Sequence, residues 1–169
     1  MPNTNLKNFD SVGGFSVDNT PVVNELKEVE NVRSLKLNSE SLPRTYKREY
    51  IVNGINDGFL TLDNATRIQL PTSTVNFITL HVIGFNNGGV GANISLKLES
   101  CVVCDNTSDV IHKSTLKTII RDSVPEGENW DVEPFDAGLN NEWSYALTKV
   151  GASVVEWYGC VSVISGEWQ

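Results

Sequence analysis

The run VVEWYGCVSV, Val154–Val163, decides the fold. Counting by twos puts Val155, Trp157, Val161 and Val163 on one side with Gly159 between them, and Glu156, Tyr158 and Cys160 on the other. A strand with one nearly continuous apolar row needs that row covered. The segment therefore reads as a central, well-paired strand that closes a sandwich. It ties the chain down through about Ile164, where fraying is otherwise the default.

The same period recurs upstream. Ile78, Leu80 and Val82 share one parity, Phe77, Thr79 and His81 the other. Ile94, Leu96 and Leu98 alternate with Ser95, Lys97 and Glu99, and Leu116, Thr118 and Ile120 alternate with Lys117 and Arg121, although Ile119 breaks the polar row. Strands are expected over residues 47–52, 59–62, 66–70, 75–83, 93–103, 115–121, 130–135, 142–150 and 153–164. Turn chemistry separates them: NGINDG, PTST, FNNGGVG, CDNTSD, VPEGEN and DAGLNN. Short strands at regular spacing, with no helical pattern between, predict an all-β fold, an antiparallel β-sandwich of jelly-roll-like type.

Ahead of the strands the pattern differs. Residues 1–45 read as an arm and 46–169 as the β-sandwich domain. Residues 1–20 are rich in Asn, Gly, Asp and Ser without periodicity. From Pro21 to Leu37, Val22, Leu26 and Val29 fall at helical spacing, so the arm is expected to be extended or partly helical. A single such stripe finds little to pack against within its own chain. Leu26, Val29, Val32 and Leu35 are therefore the expected self-association residues.

Composition narrows the function. With 169 residues, 40% of them hydrophobic, the chain is long and apolar enough for one domain plus an appendage. No apolar run is long enough to span a membrane, and the first residues lack an apolar signal core. Charge is lopsided: 8 Lys and Arg face 9 Asp and Glu in residues 1–70, but 5 face 12 in residues 71–169. That acidic field disfavours nucleic acid. Cys101, Cys104 and Cys160 are too few for a disulfide framework and suit a reducing cytoplasm.

No residue is expected to be catalytic, to bind a cofactor or to hold a metal. Cys101 and Cys104 form a C-x-x-C, yet their opposite parity in a strand sends the thiols to opposite faces, as for buried small residues. His81 and His112 read as solvent-facing strand positions, and no nucleophile-elbow, zinc-protease or phosphate-loop pattern occurs. The carboxylates from Asp122 through Glu126, Glu128, Asp131 and Glu133 to Asp136 offer oxygens for calcium or a glycosidase pair. Strand-flanking charges that resist aggregation account for them more simply. Trp130, Trp143, Trp157 and Tyr145 read as core or subunit contact, leaving Tyr158 and Trp168 as the candidates for surface recognition.

Two stretches resemble structural proteins of tailed bacteriophages. The first is GGFSVDNTPVV followed by ENVRSLKL, residues 13–23 and 30–37. The second spans residues 75–164, where VNFITLHVIGF, ISLKLESCVV, TLKTIIRD, NWDVEPF and NNEWSYALTKVGASVVEWYGCVSV follow the order of small β-sandwiches displayed on phage fibres and capsids. The resemblance implies a homotrimer made in the host cytoplasm, located in the virion, attached through its N-terminal region and displaying residues 46–169. Phe15, Val17, Val22 and Val23 would then anchor it to other virion proteins. The leading expectation is a non-enzymatic capsid decoration, cement or head-fibre subunit on the major capsid protein. The alternative is a short tail fibre or tail-associated module that binds a host-surface glycan.

Overall fold

Alternation in the sequence becomes alternation in burial. Thr74, Asn76, Ile78, Leu80 and Val82 are buried while Val75, Phe77, His81 and Ile83 are exposed, as a pleated strand covered on one face requires. The computed structural model describes residues 15–17, 20–23, 34–39, 41–62, 66–86, 91–136 and 140–168. Every regular element among them is a strand: β1 (Phe15–Val17), β2 (Thr20–Val23), β3 (Ser34–Ser39), β4 (Leu42–Ile55), β5 (Gly58–Phe59), β6 (Ile68–Gln69), β7 (Thr74–Asn86), β8 (Asn93–Cys104), β9 (Val110–Asp122), β10 (Asn129–Asp136), β11 (Glu142–Val150) and β12 (Val155–Glu167).

The chain divides into Met1–Arg33 and Ser34–Gln169. In the first unit β1 and β2 form an antiparallel pair, with Phe15 opposite Val23 and Val17 opposite Thr20. The second unit carries two antiparallel sheets. One has six strands in the order β3-β4-β12-β7-β8-β9, and the other runs β10-β11-β5 with β6 also paired to β11. Residues 34–45, grouped with the arm on sequence, thus contribute β3 and the start of β4 to the larger sheet. The helical spacing within residues 21–37 does not give a helix where that segment is described: its two ends are strands β2 and β3. Pairing of Leu35 with Glu49 and of Leu37 with Lys47 decides the matter in β3, because ladder hydrogen bonds replace helical ones.

The two sheets share one core, in a sandwich-like arrangement of antiparallel layers. Its largest fully buried side chains are Trp143, Trp157 and Tyr145, joined by Leu60, Leu70, Ile78, Leu80, Leu96, Leu98 and Val132. Trp130 is buried with them. The core reading of four C-terminal aromatics therefore holds. Strand β12 lies third in the six-stranded order, paired along its length to β4 on one side and β7 on the other. Its regular pairing runs past Ile164 to Glu167.

Room for the Trp157 indole is made by one of its cross-strand neighbours, Gly84. Gly54 and Gly84 flank Trp157 in the ladder, one on each adjacent strand. A Cβ on Gly84 would lie 2.5 Å from Cζ3 of that ring, so the ring rests directly on the Gly84 backbone. The indole Nε1 donates to the carbonyl of Asn56 at 3.0 Å.

One strand departs from simple parity. Register shifts opposite Ser95/Leu96 and Cys101/Val102 make β9 irregular, and Leu98 faces Lys117 while Glu99 faces Leu116. Lys117 therefore points to the layer interface at the sheet edge, and Leu116 points outward, 61% exposed. There Lys117 donates to both oxygens of Asp131, at 2.9 and 2.8 Å, and to Glu133, tying β9 to β10. An inward charge and bulges at an edge strand are devices that discourage edge-to-edge pairing.

Candidate functional site

The six-stranded sheet has a second face, turned away from the core, and the ladder register specifies what stands on it. Successive cross-strand rows run Ile55–Glu156–Phe85–Asn93, Asn53–Tyr158–Ile83–Ser95 and Ile51–Cys160–His81–Lys97, then Glu49–Ser162–Thr79–Glu99 and Lys47–Ile164–Phe77–Cys101. Leu35 and Leu37 extend the last two rows through β3. Large apolar side chains on this face stay exposed, with Ile51 at 66%, Ile55 at 59% and Ile83 at 49%. Isolated exposed apolar residues are ordinary, but with Leu35, Leu37, Phe77, Tyr158 and Ile164 these form a set across the four successive strands β3, β4, β12 and β7, the kind of patch that interaction surfaces carry.

A shallow depression of about 470 Å³ lies in its middle, lined by Ile51, His81, Ile83, Ser95, Ile120 and Tyr158 among others. At one rim Phe85 and Tyr158 stack with ring centroids 5.7 Å apart and planes 13° from parallel. The Tyr158 hydroxyl donates to Glu156 at 3.2 Å, and the charge of Glu156 pushes the phenol up. Cys160 lies beside Glu49, its Sγ 3.8 Å from the carboxylate; burial and then that charge push its thiol up, which keeps it protonated. Charged groups on the face are paired locally: Lys47 with Glu49 at 2.6 Å and Lys97 with Glu99 at 3.1 Å.

The residues singled out on sequence scatter. Phe15 and Val17 lie in β1, while Val22 and Val23 are half-buried in β2. Leu26, Val29 and Val32 lie outside the described residues. Leu35 stands on the outward face, 49% exposed. Tyr158 and Trp168 are 46% and 41% exposed, but ten residues of extended strand, about 33 Å, separate them. Trp168 sits just past β12, its N–H donating to the Ser73 carbonyl at 3.0 Å. They form no common site.

The remaining candidates have local partners. Cys104 is buried and Cys101 half-exposed on opposite faces of β8. His112 hydrogen-bonds Thr115 at 2.7 Å and rests against Trp143, with ring centroids 5.7 Å apart. Glu128 accepts from Trp130 Nε1 at 2.8 Å, from the Ser153 hydroxyl at 2.8 Å and from the N–H groups of Ala152 and Ser153. Those donors, the Trp130 indole first, hold its carboxyl below the usual range. Asp122 caps the N–H of Val124 at 3.1 Å. Among the described residues no three metal-donor side chains converge.

Sequence reasoning passed over the apolar outward face itself. Its signal was present in β7, where Phe77, Ile83 and Phe85 accompany Ile78, Leu80 and Val82. A strand apolar on both parities is the pattern of one covered on both sides.

No protein-family model and no curated protein sequence matches the chain. One solved structure similar to it is the tailspike protein of the Acinetobacter baumannii bacteriophage Fri1, described as a capsular polysaccharide depolymerase. The TM-score is 0.44 at 15% identity, covering 80% of this chain and 20% of that one, so the chain spans about a fifth of that protein's length. The sequence expectation of a non-enzymatic protein is withdrawn on this finding, since the similar structure is that of an enzyme. A likeness of this strength assigns the present chain no activity of its own.

Proposed function

We propose that the chain is a tail-associated module of a bacteriophage virion that binds through the outward face of its six-stranded sheet. The virion assignment is supported by the resemblance of residues 13–23, 30–37 and 75–164 to structural proteins of tailed phages. The binding role rests on one observation: Ile51 and Ile55 on β4, Ile164 on β12 and Ile83 on β7 are all about half-exposed or more, on three successive strands of a fully formed sheet. Phe15, Val17, Val22 and Val23 are the proposed anchor to the particle. Quantitative mass spectrometry of purified virions and isolated tails tests the location. The expected result is a low copy number that follows the tail; uniform occupancy of the capsid would refute it. Val22→Asp with Val23→Asp should lower incorporation while leaving the sandwich folded.

A second reading attaches to one corner of the face. The stacked Phe85–Tyr158 pair beside Glu156 and Asn53 offers an aromatic surface with hydrogen-bond acceptors, the combination that suits a sugar ring of a host-surface glycan. Binding to host polysaccharide by wild type and by Tyr158→Ala tests it. Equal binding by both, or none by either, would dismiss that corner.

A further inference from the structure

We infer that the outward face of the six-stranded sheet is the seat of a second copy of this chain. The inference rests on the reading of that face as a binding surface and names its partner. Size is the first argument. Six strands at about 4.8 Å spacing, with ladders near twelve residues at about 3.3 Å each, give a face of roughly 24 by 40 Å, or about 900 Å² once the shorter β3 is allowed for. A stable interface takes about 800 Å² from each partner, so the face is large enough without help from other surfaces.

Composition is the second argument. Ile51, Phe77, Ile83, Leu116, Ile120 and Ile164, on the four strands β4, β7, β9 and β12, are each between 47% and 66% exposed. Burial of such residues drives association in proportion to the area removed from water.

Charge selects the partner. The molecule carries a formal −8. On the register positions of this face, Lys47, Lys97 and Arg121 offset Glu49, Glu99 and Glu156, so the face is neutral while the rest of the surface carries the excess. Copies approaching through other surfaces repel, and through this one they do not. A strongly acidic or basic partner would find no complementary field here. Lys47 is already bridged to Glu49 and Lys97 to Glu99 within one copy, so covering those four leaves none of their charges stranded. Pairing through the β9 edge is discouraged by its bulges and the inward Lys117.

Light scattering of the full chain during size exclusion, over a hundredfold range of concentration, reads the result directly. The expected mass is a whole multiple, two or more, of 18.6 kDa, falling to 18.6 kDa for Ile83→Glu and, independently, for Ile164→Lys. Both positions are exposed, so far-UV circular dichroism and the melting transition of the variants should remain those of a folded chain. A wild-type monomer at the highest concentration, or a multimer indifferent to both variants, would overturn the inference. Binding of a host polysaccharide by a monomer, abolished by Ile83→Glu, would overturn it in favour of a sugar. A chain absent from virions that still self-associates through this face would remove the tail assignment and leave the inference standing.

Discussion

Replacing Gly84 by Ala probes how the core is assembled around Trp157. The backbone at Gly84 is not among the left-handed positions, so any effect comes from space rather than from torsion. The new methyl would lie 2.5 Å from Cζ3 and 2.6 Å from Cε3 of the indole, where carbon atoms prefer about 3.5–4.0 Å. The ring must retreat by about 1 Å. It is fully buried, and its Nε1 is fixed to the Asn56 carbonyl at 3.0 Å. Overpacking of this kind costs about 1–3 kcal/mol, offset by about 0.5–1 kcal/mol because Ala is favoured over Gly in a strand interior. The net expectation is a loss of about 1–2 kcal/mol, or roughly 3–6 °C in Tm for a chain of this length. Urea unfolding followed by tryptophan fluorescence, at fixed protein concentration, gives the shift in midpoint at unchanged slope. Combining Gly84→Ala with Trp157→Phe, which withdraws the clashing ring atoms, should cost less than the two single changes summed. An unchanged or raised midpoint for Gly84→Ala, or strict additivity in the pair, would refute the close seat of the ring on this glycine.

Further expectations concern single polar groups. The Tyr145 hydroxyl is buried near Ser100 and Trp143 but in hydrogen-bond geometry with neither, and burial pushes its pKa up to about 12. Tyr145→Phe should therefore be neutral or stabilising by up to about 1 kcal/mol in thermal melts, and a clear loss would show that the hydroxyl is satisfied. Glu128→Gln should be less stable than wild type at neutral pH. Because the folded carboxyl titrates below its unfolded value, its contribution is complete above the ordinary carboxylate range and disappears as pH falls through the folded value. The two stability-against-pH curves should thus converge in acid; a constant gap would exclude that carboxylate as the cause. Asn56 has φ 51° and accepts the Val155 N–H through Oδ1 at 3.0 Å. Asn56→Gly should cost about 1 kcal/mol for that hydrogen bond, and Asn56→Ala about 1 kcal/mol more for its left-handed backbone, measured by denaturation.

Parity carried most of the architecture because it depends on only one neighbour in two. Val155, Trp157, Val161 and Val163, and likewise Ile78, Leu80 and Val82, went to the core as counted. Partner choice was not legible, since Trp157 meets Gly54 across about a hundred residues and nothing local announces it. Strand β9 was misleading for a different reason. Two bulges turn Lys117 inward, and a bulge leaves no mark on a pattern read by twos. The short strands β5 and β6 shrank to two residues each because β11 offers them only brief pairing. As for the candidate surface, helical spacing in residues 21–37 drew attention to the arm, while the doubly apolar parity of β7 was taken only for its inner row.

The position of β12 has a consequence for biosynthesis. Before Val155 has left the ribosome, β4 has only β3 beside it in the larger sheet and β7 only β8. Two long strand edges and the underside of the core therefore wait, uncovered, for the segment made after both of them. Pairings separated by this much sequence close slowly, and uncovered edges recruit one another between nascent chains. Overproduction should then be governed by translation speed and temperature more than by the stability of the finished sheet. Products interrupted anywhere between Gly151 and Val163 should collect in aggregates, even though they hold in full eleven of the twelve strands found among the described residues.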